Sequence, residues 1–189
     1  MKRGAENPEK PKHLEKINPK VFAVILVAAL FVLMYGGIAT ILYSPQAPKT
    51  LATNQTLAID ENMLFSYEIN RYPARVEISN VSGQNITMGF ALDPESINFG
   101  IIPRGGNLGK RFITLENVAE GPSKIMLTAY GNISPMVKFS ENNFLLQKDA
   151  PKPIEIILET KNDTALGNYS GEIDIIVKKP KNIIAAKLL

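Results

Sequence analysis

KPIEIILETKNDTALGNYSGEIDIIVK, residues 152–178, decides the fold class. Ile154, Ile156 and Leu158 alternate with Glu155, Ile157 and Glu159. Further on, Ile173, Ile175 and Val177 alternate with Glu172, Asp174 and Lys178. Successive side chains of a strand point to opposite faces, so each run offers one apolar face to a core. Gly167-Asn168 between the runs is a turn composition. The same period of two continues toward the N-terminus, through Phe144 and Leu146, then Ile125, Leu127 and Ala129, then Ile113 and Leu115. Beyond those lie Ile86, Met88, Phe90 and Leu92, and finally Val76 and Ile78. Turn pairs such as Ser82-Gly83, Asp93-Pro94, Gly121-Pro122 and Gly131-Asn132 separate the runs. Short strands at this spacing predict an all-β sandwich over residues 63–179. The tail, 180–189, holds NIIAAKLL, which is too short to assign.

Ahead of the strands stands VFAVILVAALFVLMYGGIATILY, residues 21–43, with no charged side chain in 23 positions. At about 1.5 Å per residue, a helix of that length runs roughly 34 Å, enough to cross a hydrocarbon core of about 30 Å. A single N-terminal transmembrane helix is therefore expected, with Tyr43 at the interface. Residues 1–20 form a basic arm with six Lys or Arg and three Glu, so the formal excess of +3 for the whole chain lies there. Of the 21 basic and 18 acidic groups, 15 of each remain on residues 44–189. The 20 residues after the helix carry only Lys49 as a basic residue. This asymmetry predicts a cytoplasmic N-terminus and an extracellular C-terminal domain at the cell membrane. The rival reading is a cleaved signal peptide, with Gly37-Ile38-Ala39 as the cleavage pattern. Residues 44–62, with two prolines and small polar side chains, read as a stalk.

The composition excludes much chemistry. There is no cysteine, and the one histidine is His13, on the arm. Disulfides, thiolate sites, a Ser-His-Asp triad and the usual zinc sites are thereby removed from the exported domain. A domain with no basic excess does not attract phosphates, so no nucleic-acid partner is expected. Paired carboxylates remain at Asp93 and Glu95, Glu155 and Glu159, and Glu172 and Asp174. The last two pairs fall opposite the apolar strand faces and are expected to be solvated. Asp93 and Glu95, in a loop, are the better place for a calcium ion, though no metal or cofactor is assigned. Arg104-Gly105-Gly106-Asn107-Leu108-Gly109-Lys110 is glycine-rich and basic but lacks the Gly-Lys-Ser/Thr of a phosphate loop. It reads as a mobile loop between strands.

Asp93-Pro94-x-x-Ile97-x-Phe99-Gly100-x-Ile102-Pro103-x-Gly105, followed by Arg111-x-Ile113-Thr114-Leu115-x-Asn117, resembles the opening of immunoglobulin-like domains of the major sperm protein and hydin-like type. Ala165-Leu166-Gly167-Asn168-Tyr169-Ser170-Gly171-x-Ile173-x-Ile175 resembles the last strands of Ig-like domains on archaeal and bacterial surface proteins. The resemblance covers about residues 85–178. It implies an Ig-like β-sandwich ectodomain and an adhesive, scaffolding or partner-binding role. Phe99 is expected to plug the core, and Tyr169 to bury its ring while its hydroxyl finds a backbone partner.

The acceptor pattern Asn-x-Ser/Thr occurs at Asn54, Asn80, Asn85, Asn132, Asn162 and Asn168. About two such sites are expected by chance among the domain's 14 asparagines, so six point to glycosylation. With the missing cysteine and abundant isoleucine, they suggest an archaeal surface glycoprotein. The expected function is non-catalytic. It is that of a membrane-anchored envelope module tying a surface layer, filament or membrane complex to the membrane, with envelope or membrane proteins as partners and no small-molecule substrate. The alternative is an accessory subunit of a membrane enzyme or transporter. The connection Ile101–Lys110 carries no acceptor site, and Arg104, Leu108 and Lys110 are its expected partner contacts.

Overall fold

The computed structural model describes residues 18–80 and 95–189. The strand expected at Ile86–Leu92, Asn85, Asp93 and most of the basic arm lie outside the described residues. The chain divides into two compact units, at residues 1–42 and 43–189.

In the first unit, α1 spans Pro19–Leu42. Asn18 starts it, its side-chain Oδ1 accepting from the Lys20 N–H at 3.0 Å. The most apolar 18 residues of 20–42 have a mean hydropathy of 2.7, and none of them is buried against protein. The helix is apolar all round and is long enough to cross a membrane. A signal sequence meets the same test. The Thr40 hydroxyl donates to the Gly36 carbonyl at 2.8 Å, so this polar group is satisfied within the helix.

The second unit is mostly β, with two sheets. The larger has the order β1 (Thr56–Glu61), β2 (Phe65–Ser79), β9 (Gly167–Pro180), β5 (Ser123–Gly131), β7 (Phe144–Leu146). β3 (Ile97–Pro103) also joins it, parallel to the second half of β2. The smaller sheet runs β4 (Leu108–Leu115), β8 (Lys152–Glu159), β6 (Val137–Phe139). Every pairing between named strands except β2–β3 is antiparallel. A single 3₁₀ turn, Ser134–Met136, leads into β6.

The alternation of residues 152–178 becomes the packing. Ile154, Ile156 and Leu158 on β8, and Ile173 and Ile175 on β9, are buried. They join Ala74, Val76, Ile78, Ile97, Phe99 and Ile102 on one side and Ile125, Leu127, Phe144 and Leu146 on the other. Phe99 is buried as expected, and Gly100 follows it at φ 72°, a conformation that glycine alone enters freely. The Tyr169 ring packs on this core, and its hydroxyl donates to the Ala165 carbonyl at 2.9 Å.

β2 is buried on both faces, but not along the same half. Phe65, Tyr67 and Ile69 are buried at odd positions, then Ala74, Val76 and Ile78 at even ones. The even residues face the second sheet. The odd ones face a separate cluster with Ile176 and Ala185, packed by Tyr43, Ala58, Leu64, Met126 and Leu189. The outer face of the large sheet therefore carries its own covering layer. β2 changes edge partner from β1 to β3 between Arg71 and Ala74. Pro73, which has no N–H to offer a ladder, sits at that change.

One expectation is corrected by this layer. Residues 44–62 are not a free stalk throughout, since 56–61 form β1, paired with Ser66–Arg71 of β2. Leu57-Ala58-Ile59 is the strand-forming core of that stretch, and Ala58 faces the outer cluster. Ahead of β1, the Gln55 side chain donates to the Tyr72 hydroxyl at 3.0 Å. At the other end, 180–189 is docked. Asn182 caps α2 (Ile183–Ala186), its Oδ1 accepting from the Ala185 N–H at 2.9 Å, and Ala185 is fully buried.

β5 and β9 approach closely where Gly131 faces Gly171. A Cβ on Gly171 would run into the Tyr130 carbonyl oxygen and lie 2.5 Å from the Ile133 Cγ2. The obstacle is backbone, so it cannot rotate away. Gly171→Ala is expected to destabilise the domain by about 1–3 kcal/mol, as overpacking does. A urea midpoint equal to that of the native chain would refute the contact.

Candidate functional site

The connection expected to be long and mobile is short and stitched down. β3 ends at Pro103 and β4 begins at Leu108. Between them, the Arg104 N–H donates to the Ser79 carbonyl at 3.1 Å, and the Gly106 N–H to Thr160 at 2.9 Å. The Gly105 N–H reaches the Lys161 carbonyl at 3.3 Å. Thr160, buried, accepts from the Asn107 N–H at 3.1 Å and donates its hydroxyl to the Pro103 carbonyl at 2.9 Å. The backbone donors of 104–107 are thus consumed inside the protein and are not free to bind an anion. The glycines serve the turn, with Gly105 at φ 99° and Gly106 at 81°.

The side chains there divide. Arg104 is exposed. Lys110 lies on β4 rather than in the loop, and its Nζ is 2.9 Å from the Glu155 carboxylate across the pair of strands. Leu108 is 50 % exposed and shares the outer face of β4 with Phe112, which is 65 % exposed. The alternation of Ile113 and Leu115 does not single out Phe112. Its signal is that it is out of phase with both. Around the two apolar side chains the face is charged, with Lys110–Glu155 and Lys138–Glu159 ion pairs. Lys138 holds the Glu159 carboxyl below its ordinary pKa. Glu155 and Glu159 are, as expected, on the solvent side.

The acceptor asparagines gather rather than scatter. Asn54, Asn80, Asn132, Asn162 and Asn168 are all exposed. Ile78 pairs with Gly167, and Leu108 with Glu159, so Asn80, Asn162 and Asn168 share one end of the sandwich with loop 104–107. Asn132 joins them, its Oδ1 accepting from the Ser170 N–H at 2.6 Å. A Cβ on Gly105 would lie 3.3 Å from the Asn162 Oδ1. The loop lacks an acceptor site in sequence yet is surrounded by them in space. Glycans on these asparagines and a protein partner on Arg104 would compete for the same surface.

The expectation that Glu172 and Asp174 are solvated is overturned. Glu172 and Asp174 do not face solvent, because both are buried. They sit on the outer face of β9 in register with Pro73 and Arg71 of β2 and with Tyr130 and Thr128 of β5. Residues 51–54 lie over them, the Ala52 N–H donating to Glu172 Oε2. Arg71 Nε is 3.7 Å from Glu172 Oε1 and 4.0 Å from Asp174 Oδ2. Those distances are ion pairing without a hydrogen bond, and Arg71 Nε, Glu172 Oε1 and Asp174 Oδ1 are buried without one. Burial, then the hydrogen bond to Glu172, push the Asp174 carboxyl up to about 7 against the Arg71 charge. A proton between the two carboxyls relieves their repulsion and gives unpartnered oxygens a hydrogen bond. Burial, with Asp174 beside it, also raises the Tyr130 hydroxyl.

What this cluster can do chemically is limited by its cover, which leaves Glu172 no contact with solvent. It pins residues 51–54 to the sheet and offers no face to a substrate. Among the described residues, no group of three His, Cys, Asp or Glu is placed to hold a metal ion. Glu95 is exposed, and its expected calcium partner Asp93 lies outside the described residues. No family model, no curated protein and no solved structure matches this chain.

Proposed function

We propose that this protein is a single-span, non-catalytic module of the cell envelope. In this reading α1 is a membrane anchor, the N-terminus is cytoplasmic and the domain of residues 43–189 is extracellular. The domain is an Ig-like sandwich that ties a surface layer, filament or membrane complex to the membrane, and some of its acceptor asparagines carry glycans, as on archaeal surface proteins. The observation that carries the reading is an apolar helix of hydropathy 2.7 joined directly to a two-sheet domain. The Tyr169–Ala165 hydrogen bond supports the Ig-like type, since a tyrosine bonded to backbone a few residues upstream is a feature of such sandwiches. Leu108 and Phe112, apolar side chains inside a charged face, are the favoured contacts, with Arg104 at their edge.

The test is capture from membranes in mild detergent, native chain against Leu108→Ser with Phe112→Ser. Recovery of envelope polymer by the native chain, lost in the double variant with an unchanged unfolding midpoint, is the expected outcome. Recovery of a multi-span enzyme or transporter instead would favour an accessory subunit. External protease on intact cells is expected to remove the domain, and an untouched domain in cells stripped of their outer layer would reverse the topology.

A further inference from the structure

We propose that the end of the domain carrying Tyr43 lies on the membrane surface, with the C-terminal turn dipping apolar side chains among the lipids. This rests on the anchoring reading above. Tyr43 follows α1 directly in sequence, so the surface around it is tethered within one residue of the apolar helix. Tyr43 belongs to the outer cluster of the large sheet, its ring 5.5 Å from that of Tyr67, whose hydroxyl donates to the Tyr43 carbonyl at 3.2 Å. The same cluster contains Ala185 and is packed by Leu64 and Leu189. The β1–β2 turn is here too, for the Lys181 N–H donates to the Leu64 carbonyl at 2.9 Å.

This end exposes large apolar side chains together: Met63 at 85 %, Ile183 at 80 %, Ile184 at 69 % and Leu188 at 40 %. Such side chains, grouped and facing water, mark an interaction surface. Lys187, exposed beside them, suits anionic headgroups. The five described acceptor asparagines are elsewhere, four of them at the far end of the strands. A bulky, hydrated glycan is compatible with the far end and incompatible with a lipid contact. Lipid, rather than a second protein, is the occupant because the tether holds this surface at the bilayer whether or not a partner is present. One turn of helix with Ile183, Ile184 and Leu188 is too small to span and suited to the interface.

The chain has no tryptophan, so a single one reports alone. The full chain is reconstituted in phosphatidylcholine–phosphatidylglycerol vesicles, in three forms: Ile184→Trp, Phe31→Trp and Phe112→Trp. Lipids brominated in the upper acyl chain are expected to quench Ile184→Trp about twofold, as for a side chain some 5–10 Å into the headgroup boundary. Phe112→Trp is expected to be unaffected by them and quenched by aqueous iodide. Ile184→Trp quenched by iodide and not by brominated lipid, with Phe31→Trp quenched by lipid, overturns this inference and leaves the anchor standing. Phe31→Trp insensitive to brominated lipid overturns the anchor and this inference with it.

Discussion

Phe99→Ala lowers the stability of the β domain by about 3–5 kcal/mol, the loss expected when a fully enclosed ring is removed. The site cannot collapse to heal the cavity. Phe99 is buried with Val76 and Ile78 of β2, Ile97 and Ile102 of its own strand, and Ile156 and Leu158 of the facing sheet. Those neighbours belong to hydrogen-bonded strands, so they shift little. On β4, Gly109 lies close to the ring, and an added Cβ there would be 3.3 Å from Phe99 Cδ1. Gly109 itself has no side chain to swing in and fill the space. The check is urea unfolding of the full chain in mild detergent, followed by its sheet signal. A shifted midpoint with an unchanged slope reports stability alone. Phe99→Leu keeps most of the volume and is expected to lose less than about 1.5 kcal/mol. A loss below about 1 kcal/mol for Phe99→Ala would mean the ring is not a core element.

That prediction was legible in the sequence, and the reason marks the reach of such reading. Strands β5, β7 and β8 each bury one alternating set, and alternation is visible one strand at a time. What stayed hidden depends on residues far apart in the chain. Alternation assigns Glu172 and Asp174 to the face opposite Ile173 and Ile175, and so to solvent. It cannot reveal that Ala52, 120 residues earlier, lies over that face. A signal did exist. Ile176 occupies the same face as Asp174, and Phe65, Tyr67 and Ile69 form an apolar set out of step with Val76 and Ile78. Loop 104–107 failed as a mobile loop for the same reason, since the buried Thr160 that holds it is over 50 residues away. Gly106 and Gly109, on both sides of Leu108, obscure the start of β4, so the sequence does not separate Lys110 from that loop. The acceptor asparagines were countable in sequence, but only the register of β2 with β9 and of β4 with β8 collects them at one end.

Arg71→Met is expected to cost about 3–5 kcal/mol at pH 8, because it leaves two buried carboxyls without their cation. The pH dependence separates this from a mere packing loss. In the native chain the folded domain raises the Asp174 carboxyl to about 7, from an ordinary value of 3.8. Between those values the folded state keeps a proton that the unfolded chain releases. Stability from this group is therefore complete below about pH 4 and is lost as pH rises through 7. The native urea midpoint should fall from pH 5 to pH 8. Asp174→Asn keeps the shape, can donate to Glu172 and has nothing to titrate, so its midpoint should be flatter across that range and higher than the native one at pH 8. Removing the Arg71 charge takes away the one neighbour that lowers the Asp174 value, so Arg71→Met should move the fall to higher pH and do its greatest harm where both carboxyls ionise. The groups facing this pair are Tyr130, which stays neutral because its own value is raised, and the Ala52 N–H, which does not titrate. The readout is the difference in midpoint between pH 5 and pH 8 for the three chains. Equal pH slopes in native and Asp174→Asn would show that the carboxyl pair shares no proton.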